Sequence, residues 1–280
     1  MFWNTVLGEV WDGDVSANVT VDLLMKRREV YKDRNGVVLL PDKSCVITVG
    51  VDVQNDRLEA LIKAYGPDNE QWIIDAFKIY GDPASDPPWA ELTELLQVRM
   101  QHPSGRLLPV EAAAIDSGFL TQKVYAFSVR NIAVGRRWYA IKGMPGEGRP
   151  AWTQSELRLK GGGRLYLVGI DGLKTELYSR LGVEVPGANY VHFPLLDHFN
   201  EDWFGQLIVE KVRVVYDPRG HGKREFHKPP GARNEALDLN VYCDAAHKSL
   251  NIDHKARLAR MWTKQVEHST ADIAKMFEKA

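Results

Sequence analysis

Three β-rich segments with very short connections fill the region from Ser44 to Gly81 and constrain the fold more than any other feature. The segments VITVGVDVQ, LEALIKAYG and QWIIDAFKIYG are rich in β-branched and aromatic residues, and the turn-forming NDR joins the first two. Strands joined this closely pair antiparallel, because a parallel connection needs about a dozen residues or more. The sequence therefore predicts a three-stranded antiparallel meander.

Helices and strands alternate in the region that follows. Prolines precede an apolar three-four pattern in DPPWAELTELLQ, which predicts an amphipathic helix. The apolar run LLPVEAAAIDSG predicts a buried, parallel strand, and RRWYAIKG predicts a fifth strand after a second helix. The order β-β-β-α-β-α-β indicates one α/β sheet that is antiparallel in one half and parallel in the other, flanked by helices.

The remaining segments complete this sheet and its helices. RLYLVGID, NYVHFP and EKVRVVYD are predicted strands, MPGEGRPAWTQSELRLKGGG is a predicted loop, and NEALDLNVYCDAAHKSL is a predicted helix. We divide the chain into a lead-in (residues 1–43), an α/β domain (residues 44–250) and a helical C-terminal tail (residues 251–280).

Composition excludes several classes of protein. The chain has 36 Lys and Arg against 37 Asp and Glu, so a nucleic-acid site has to be a local basic patch. Its 2 cysteines do not supply a disulfide framework or a Cys-rich zinc site. No apolar run approaches the roughly 18 residues of a membrane span, and the N-terminus lacks a secretory signal. The sequence predicts a reduced, cytoplasmic protein without a membrane segment.

Acidic residues occur at unusual positions in the predicted elements. Asp52 lies within the apolar first strand, Asp116 ends the apolar fourth strand, and Glu235 and Asp238 are spaced i, i+3 on the late helix. A carboxylate within an apolar strand is unfavourable unless it is paired or binds a cation. Each acid alone also fits a plainer role, as a hydrogen-bonded buried Asp, a turn or helix cap, or a solvated helix residue.

The acids become more informative as a group. If the first and fourth strands pair, Asp52 and Asp116 are neighbours, and the late helix brings Asp238 to the same edge. Carboxylates held together repel, so they either protonate or bind hard divalent ions such as Mg²⁺ or Mn²⁺. An all-oxygen site of this kind suits phosphoryl chemistry with two metal ions.

Seven strings carry a family resemblance: FWNTVLGE, VGVDVQNDRLE, AIDSG, YAIKG, LVGIDGLK, HFP and RNEALD. In this order they resemble the C-terminal nuclease domain of the large terminase subunits of lambda-like tailed phages. The resemblance implies an RNase H-like fold and a metal-dependent endonuclease that uses two Mg²⁺ or Mn²⁺ ions to cut concatemeric double-stranded viral DNA. It also implies partners (a terminase ATPase domain, the small terminase subunit and the portal), the host cell cytoplasm as location, and no membrane.

The resemblance assigns roles to individual residues. Asp52 is implied as the ligand that bridges both ions, Asp116 as the fourth-strand ligand, and Asp238 or Glu235 as the helix ligand. The spacing does not decide between the last two, and we prefer Asp238. Lys142 ends the fifth strand, where it is expected to contact the scissile phosphate as part of the catalytic group.

The ATPase motor of the full-length relatives is expected to be absent. No G-x-x-x-x-G-K-[ST] string occurs, since RGHGKRE lacks the first Gly and the final Ser or Thr. FWNTVLGE resembles the seam that follows the motor, so we expect the chain to be a nuclease domain separated from it.

Two basic segments flank the predicted acidic site. Lys223, Arg224, Lys228 and Arg233 directly precede the late helix, and residues 130–164 around the fifth strand are also basic. A polyanionic substrate requires basic groups of this kind beside the carboxylates. The predicted DNA-binding residues are Arg136, Arg137, Lys223, Arg224, Lys228 and Arg233.

Two other functions remain open. A recombinase or junction resolvase would use the same fold, and a domain that grips DNA or docks onto the portal without cutting would not need the acids. The intact acids at Asp52, Asp116 and Asp238 argue against a silent domain. Cleavage of DNA only in the presence of a divalent metal would separate an enzyme from a scaffold.

Overall fold

The structure is a computed structural model that describes residues 19–32, 36, 38–216 and 222–263. Its strands are Arg28–Glu29 (β1), Val46–Val53 (β2), Arg57–Tyr65 (β3), Gln71–Tyr80 (β4), Arg99–Gln101 (β5), Leu107–Pro109 (β6), Ala112–Asp116 (β7), Trp138–Met144 (β8), Thr153–Arg158 (β9), Arg164–Gly169 (β10), Val191–Pro194 (β11), Lys211–Tyr216 (β12) and Gly222–His227 (β13). Its α-helices are Val21–Lys26 (α1), Pro87–Gln97 (α2), Thr121–Ala133 (α3), Ile170–Leu181 (α4), Glu201–Leu207 (α5), Glu235–Lys248 (α6) and His254–Trp262 (α7). Within these described ranges, no helix is both long enough and apolar enough to cross a membrane.

The main sheet has nine strands in the order β1-β11-β4-β3-β2-β7-β8-β10-β9. β4, β3 and β2 form the predicted antiparallel meander, and β7 and β8 continue the sheet as parallel strands on the other side of β2. This arrangement, with three antiparallel strands followed by parallel strands and helices on the faces, is that of an RNase H-like fold. The predicted fold class is confirmed.

The segment predicted as a loop contains a strand, and so does the basic segment before the late helix. β9 pairs antiparallel with β10 inside the Gly/Pro-rich segment, and β13 pairs antiparallel with β12 inside the basic segment. Most residues of both strands are exposed on both faces, so their sequences carry no apolar alternation. Without alternation, the period-2 signal that identifies a strand is missing.

Parts of the predicted lead-in and tail pack on the α/β domain. β1 pairs with β11 at the edge of the sheet, and Leu24 of α1 is fully buried. In the tail, Met261 is buried and the Arg257 guanidinium pairs with the Glu111 carboxylate. The FWNTVLGE string and residues 264–280 lie outside the described residues. The three-part division of the chain therefore stays a prediction, and its boundary at residue 43 does not coincide with the edge of the sheet.

Helix α6 lies directly on β2 because Gly50 leaves room for it. A Cβ atom at Gly50 would lie 2.3 Å from the backbone oxygen of Leu239 and 2.9 Å from the backbone nitrogen of Cys243. The Gly50 amide donates instead to Cys243 Sγ at 3.0 Å. Any side chain at residue 50 would push the helix outward. The glycine thus sets the height of α6 above the strand that carries Asp52.

A buried ion pair also holds α6 in place. Lys63 Nζ of β3 lies 2.8 Å from Asp244 Oδ1 of α6, and the Tyr65 hydroxyl donates to the same oxygen at 2.9 Å. Arg180 of α4 lies 3.4 Å from the other carboxylate oxygen. Because buried charges are tolerated only with close partners, this pairing fixes the position of the helix along the sheet.

Candidate metal centre

Asp52 and Asp116 lie side by side at the carboxyl ends of two parallel strands. β2 and β7 pair in register from Thr48↔Ala112 to Val51↔Ile115, and the two aspartates are the next residues of each strand. Asp52 is 9% exposed, and the Gln54 side-chain amide donates to its Oδ2 atom. The structure brings together the two acids that the sequence analysis predicted to be neighbours.

The AIDSG string holds the Asp116 carboxylate against the backbone. The Ser117 amide and hydroxyl both donate to the Ile141 carbonyl, at 3.0 and 2.6 Å, so the end of β7 is tied to β8. The backbone amides of Gly118 and Ser117 lie near the Asp116 carboxylate and act to lower its pKa, against the larger opposing effect of burial. A Cβ atom at Gly118 would lie 2.9 Å from Asp116 Oδ2, so a side chain at this residue would shift the carboxylate.

Helix α6 brings Asp238 to the same edge of the sheet. Its Oδ2 atom accepts a hydrogen bond of 2.8 Å from Asn234 Nδ2, and its Oδ1 atom lies 3.6 Å from Lys174 Nζ. Tyr242, one helical turn later, is buried beside all three acids. Burial raises the pKa of Tyr242, and the charges of Asp116, Asp238 and Asp52 raise it further. The three carboxylates are therefore all within electrostatic reach of one buried phenol.

The three carboxyl groups share an unfavourable electrostatic environment. Burial, then the neighbouring Asp116 charge, raises the pKa of Asp52 to about 6. Burial also raises the pKa of Asp238 to about 6, with the Lys174 ammonium opposing this rise and Glu210 and Asp52 adding to it. Burial and Asp238 raise the pKa of Asp116, against its backbone hydrogen bonds and Lys142. A cation at this edge would relieve the repulsion.

The donor set fits a hard divalent ion. Three carboxylates from three separate elements offer oxygen ligands only, which is the chemistry that Mg²⁺ and Mn²⁺ prefer. Their side chains are not already gathered into a coordination sphere, since the described part of the chain contains no group of three or more His, Cys, Asp or Glu residues in metal-binding geometry. The acids share one edge and repel one another, and an ion would draw them closer.

Glu235, the alternative helix ligand, is engaged by an arginine. Its carboxylate accepts hydrogen bonds from Arg233 Nε at 3.1 and 3.2 Å. Arg233 Nη2 also donates to Glu59 Oε1 at 3.2 Å. Glu235 still lies close enough to add to the raised pKa of Asp52, after burial, Asp116 and Glu59. Arg233 lies closer to Glu235, at 3.1 Å, than Lys174 lies to Asp238, at 3.6 Å, and this difference favours Asp238 as the third ligand. That assignment stays a prediction.

Lys142 lies beside the acidic edge. It follows Ile141, the β8 residue that pairs with Asp116, and its side chain is exposed. Burial raises the pKa of Asp116, and the Lys142 ammonium acts against that rise. The lysine is therefore within electrostatic reach of the predicted ligands and open to a substrate.

Three of the predicted DNA-binding residues lie on or beside the β12–β13 hairpin. Lys223 and Arg224 are exposed on β13, and Lys223 Nζ pairs with Glu225 at 3.1 Å. Phe226 packs its ring against Tyr178 of α4, which attaches the hairpin to the domain next to α6. Lys228 Nζ donates to Asn234 Oδ1 at 2.9 Å, one residue before the helix that carries Asp238. Lys228 and Arg233 therefore lie beside the carboxylates, and Lys223 and Arg224 extend the basic surface along the hairpin.

Arg136 and Arg137 lie just before the amino end of β8, away from the end that is level with Asp116, and their role in DNA binding stays a prediction. Ile141 is level with Asp116, and Arg137 precedes it by four residues, or roughly 13 Å at about 3.3 Å per residue. Both arginines line an open groove of about 440 Å³, and Arg136 stacks on Trp138 at 4.6 Å. Residues 130–164 were treated as one basic segment in the sequence analysis. Strand β8 lies within this segment, so basic residues before and after the strand are at its opposite ends.

Three polar residues beside Asp238 were missed by the sequence analysis. Lys174 Nζ lies 2.9 and 2.8 Å from the two carboxylate oxygens of Glu210, and Asn234 Nδ2 donates to Glu210 Oε1 at 2.8 Å. Lys174 lies in the LVGIDGLK string and Asn234 lies in RNEALD, so both belong to strings that carry the family resemblance. Glu210 precedes an exposed hairpin strand and carries no local signal.

Comparison with known proteins gives concordant results. Residues 1–261 match the family described as terminase large subunit gpA, endonuclease domain. The large terminase subunit of Escherichia phage lambda is 30% identical over 254 residues, which cover 88% of this chain and 38% of that protein. The large terminase subunit of Enterobacteria phage P21 is 26% identical over 260 residues, with the same 88% and 38% coverage.

Among solved structures, the chain matches the large terminase nuclease from thermophilic phage G20c with bound magnesium. It has a TM-score of 0.42 and 13% sequence identity, and the match covers 84% of this chain and 98% of that one. The chain spans about 38% of the length of the curated relatives it matches. On the family match, this chain belongs to the family of endonuclease domains of the terminase large subunit gpA.

Proposed function

We propose that this chain is a divalent-metal-dependent endonuclease that hydrolyses phosphodiester bonds of double-stranded DNA at the edge formed by β2, β7 and α6. The observation that carries the proposal is the meeting of Asp52, Asp116 and Asp238 from three separate elements, with pKa values raised by burial and mutual repulsion. Membership of the endonuclease family supports it. The repulsion is a reason for these acids to bind cations, because a purely structural role would favour neutral side chains.

In this mechanism Asp52, Asp116 and Asp238 would hold two ions, Mg²⁺ or Mn²⁺. When bound, such ions lower the pKa of a coordinated water and neutralise the charge that develops on the leaving oxygen. The protein residues orient the substrate. Lys142 is exposed beside Asp116, where its ammonium is suited to contact the scissile phosphate, and Lys228 lies on the α6 side of the same edge.

The whole proteins that this chain resembles are large terminase subunits, and the chain matches about 38% of their length. We therefore assign it the cutting of concatemeric viral DNA within a packaging assembly in the host cell cytoplasm. A terminase ATPase domain, the small terminase subunit and the portal would be its partners there. Site selection would come from those partners, because the phosphate contacts of the domain carry no sequence information.

The first test uses supercoiled plasmid DNA. With Mn²⁺ or Mg²⁺ we expect nicked and linear products, and with EDTA we expect none, because the carboxylates alone supply no activated water. Agarose gels over a time course measure the conversion. Cutting that persists in EDTA would contradict a metal mechanism. Absence of cutting with either metal, combined with retained DNA binding, would favour a domain that grips DNA without cleaving it.

The basic hairpin allows a second test with a matched control. Replacing Lys223, Arg224 and Lys228 by Ala should weaken binding of a DNA duplex in EDTA and flatten its salt dependence. Each lost phosphate contact should reduce the slope of log affinity against log salt by roughly 0.9. Fluorescence anisotropy at several salt concentrations measures both quantities, and the loss should be similar for unrelated DNA sequences.

The double substitution Arg136→Ala and Arg137→Ala removes two positive charges near the amino end of β8, away from the carboxylates. It should leave the affinity and the slope near those of the wild-type protein. An equal loss in both variants would show that DNA also contacts the protein near the amino end of β8. A loss of DNA affinity in the control variant alone would show that the hairpin does not contact DNA.

A further inference from the structure

Asn234 occupies the N-cap position of α6 without capping the helix. The side chains of Thr20, Asn200 and Asp253 each accept a hydrogen bond from a backbone N–H in the first turn of their helices. Asn234 makes no such bond, although Asn is among the most favourable N-cap residues. Its side chain makes hydrogen bonds to other side chains.

The Asn234 amide is saturated by three charged groups. Its Nδ2 atom donates to Asp238 Oδ2 and to Glu210 Oε1, both at 2.8 Å, and its Oδ1 atom accepts from Lys228 Nζ at 2.9 Å. The opposite orientation of the amide is excluded, because it would turn the oxygen toward two carboxylates and the NH₂ group toward an ammonium. Among common side chains, an amide fits this set because it offers two donors and an acceptor.

A buried ion pair supports this amide from behind. Glu210 and Lys174 are 4% and 5% exposed, and Lys174 Nζ lies 2.8 Å from Glu210 Oε2. The same ammonium lies 3.6 Å from Asp238 Oδ1. One oxygen of Asp238 therefore faces Asn234 and the other faces Lys174, and Glu210 holds both of those partners. Asn234, one turn earlier at the start of α6, and Lys174 of α4 therefore fix the orientation of the carboxylate.

We propose that Asn234 is a positioning residue of the metal centre, which leaves the helix uncapped in order to hold the Asp238 carboxylate toward Asp52 and Asp116, with the Lys174–Glu210 pair as its anchor. This inference rests on the proposed function, since it takes Asp238 as a metal ligand. Partners of this kind set ligand orientation, and their loss typically lowers metal affinity by roughly 10–100-fold.

The test measures Mn²⁺ binding by electron paramagnetic resonance of the free ion, using the full 280-residue chain without DNA. Asn234→Ala should weaken Mn²⁺ binding by about tenfold or more. Asn234→Ser should also weaken it, while the melting temperature falls less than in Asn234→Ala, because the helix cap that Ser supplies offsets part of the lost amide hydrogen bonds. This variant separates positioning from folding. Lys174 is less suitable for the test, because its removal leaves Glu210 buried and unpaired.

The matched control is Asn200→Ala, which removes a true cap. Asn200 Oδ1 accepts from the Trp203 amide at 3.1 Å at the start of α5. This variant should lower the melting temperature and leave Mn²⁺ affinity unchanged. Binding to Asn234→Ala and Asn234→Ser with wild-type affinity, together with weakened binding to Asp52→Asn, would overturn the positioning role and leave the proposed function intact. Mn²⁺ binding that is equally tight in Asp52→Asn and wild type would overturn both.

Discussion

Asp52→Ala and Asp116→Ala are each expected to lower the rate of metal-dependent DNA cleavage by roughly a thousandfold or more, at unchanged DNA affinity in EDTA. The two carboxylates end neighbouring parallel strands, and both carry a pKa raised by burial. Removing either one takes away one of the three proposed metal ligands. Nicking of plasmid DNA under single-turnover conditions with Mn²⁺ measures the rate.

Folding is controlled in the same experiment. Asp197→Ala removes an exposed acid far along the chain from these strands and should cut at the wild-type rate. Circular dichroism and the melting temperature without metal should show that both site variants remain folded, because removing a repelling charge does not destabilise the native state. A folded Asp52→Ala or Asp116→Ala protein that nicks DNA at a near wild-type rate would show that the catalytic carboxylates lie elsewhere.

The centre of the fold follows from local sequence patterns. β2, β3 and β7 are buried almost throughout, so their apolar composition identifies them as interior strands. Short connections then determine the antiparallel pairing of β2, β3 and β4. Asp52 and Asp116 were predicted to be neighbours because each lies at the end of an apolar strand, where a charge is conspicuous.

The surface elements lack such patterns. β9 and β13 are mostly exposed, so the free energy that selects their conformation comes from pairing with β10 and β12 and not from their own burial. The arginines at residues 136 and 137 were grouped with Lys142 because all three lie in one basic segment of the sequence. Their separation depends on the direction of β8, which charge counting along the chain does not detect.

Long-range polar contacts were the other gap. The i, i+3 spacing sets Glu235 and Asp238 on one side of α6, so the sequence alone left both as candidate ligands. The distinction depends on Arg233, which pairs with Glu235, and on Lys174, which lies 3.6 Å from Asp238. Lys174 is 64 residues from Asp238 in the chain, and no local pattern links the two.

Mn²⁺ is expected to raise the melting temperature of the wild-type protein by several degrees near pH 7.5, and Asp52→Asn should reduce this shift. A cation that binds only the folded form stabilises it by roughly 2.7 kcal/mol at a hundredfold excess over its dissociation constant. For a domain of this size, that corresponds to roughly 5–10 °C. Mg²⁺ should give a smaller shift, because this ion keeps its water shell and often relies on substrate phosphates to complete its coordination.

The direction of the pH dependence follows from the raised pKa values. Asp52 and Asp238 have pKa values of about 6 in the folded protein, above the usual value of about 4. Without metal, these two groups favour the folded state most when they are protonated, and that contribution is lost as the pH rises from about 4 to above 6. Mn²⁺ binds the ionised carboxylates, so its stabilising effect should be largest above pH 6 and shrink as the pH falls through 6.

Differential scanning calorimetry of wild type and Asp52→Asn, with and without Mn²⁺ at pH 5.0 and 7.5, tests both effects together. The asparagine keeps the shape of the side chain and removes one repelling charge, so without metal the variant should be more stable than wild type at pH 7.5 and nearly equal to it at pH 5.0. With Mn²⁺ at pH 7.5 the wild-type protein should be the more stable of the two, because it binds the ion through the Asp52 carboxylate, which the variant lacks. Equal Mn²⁺ shifts in the two proteins would remove Asp52 from the metal centre, and the two-metal mechanism would lose its bridging ligand.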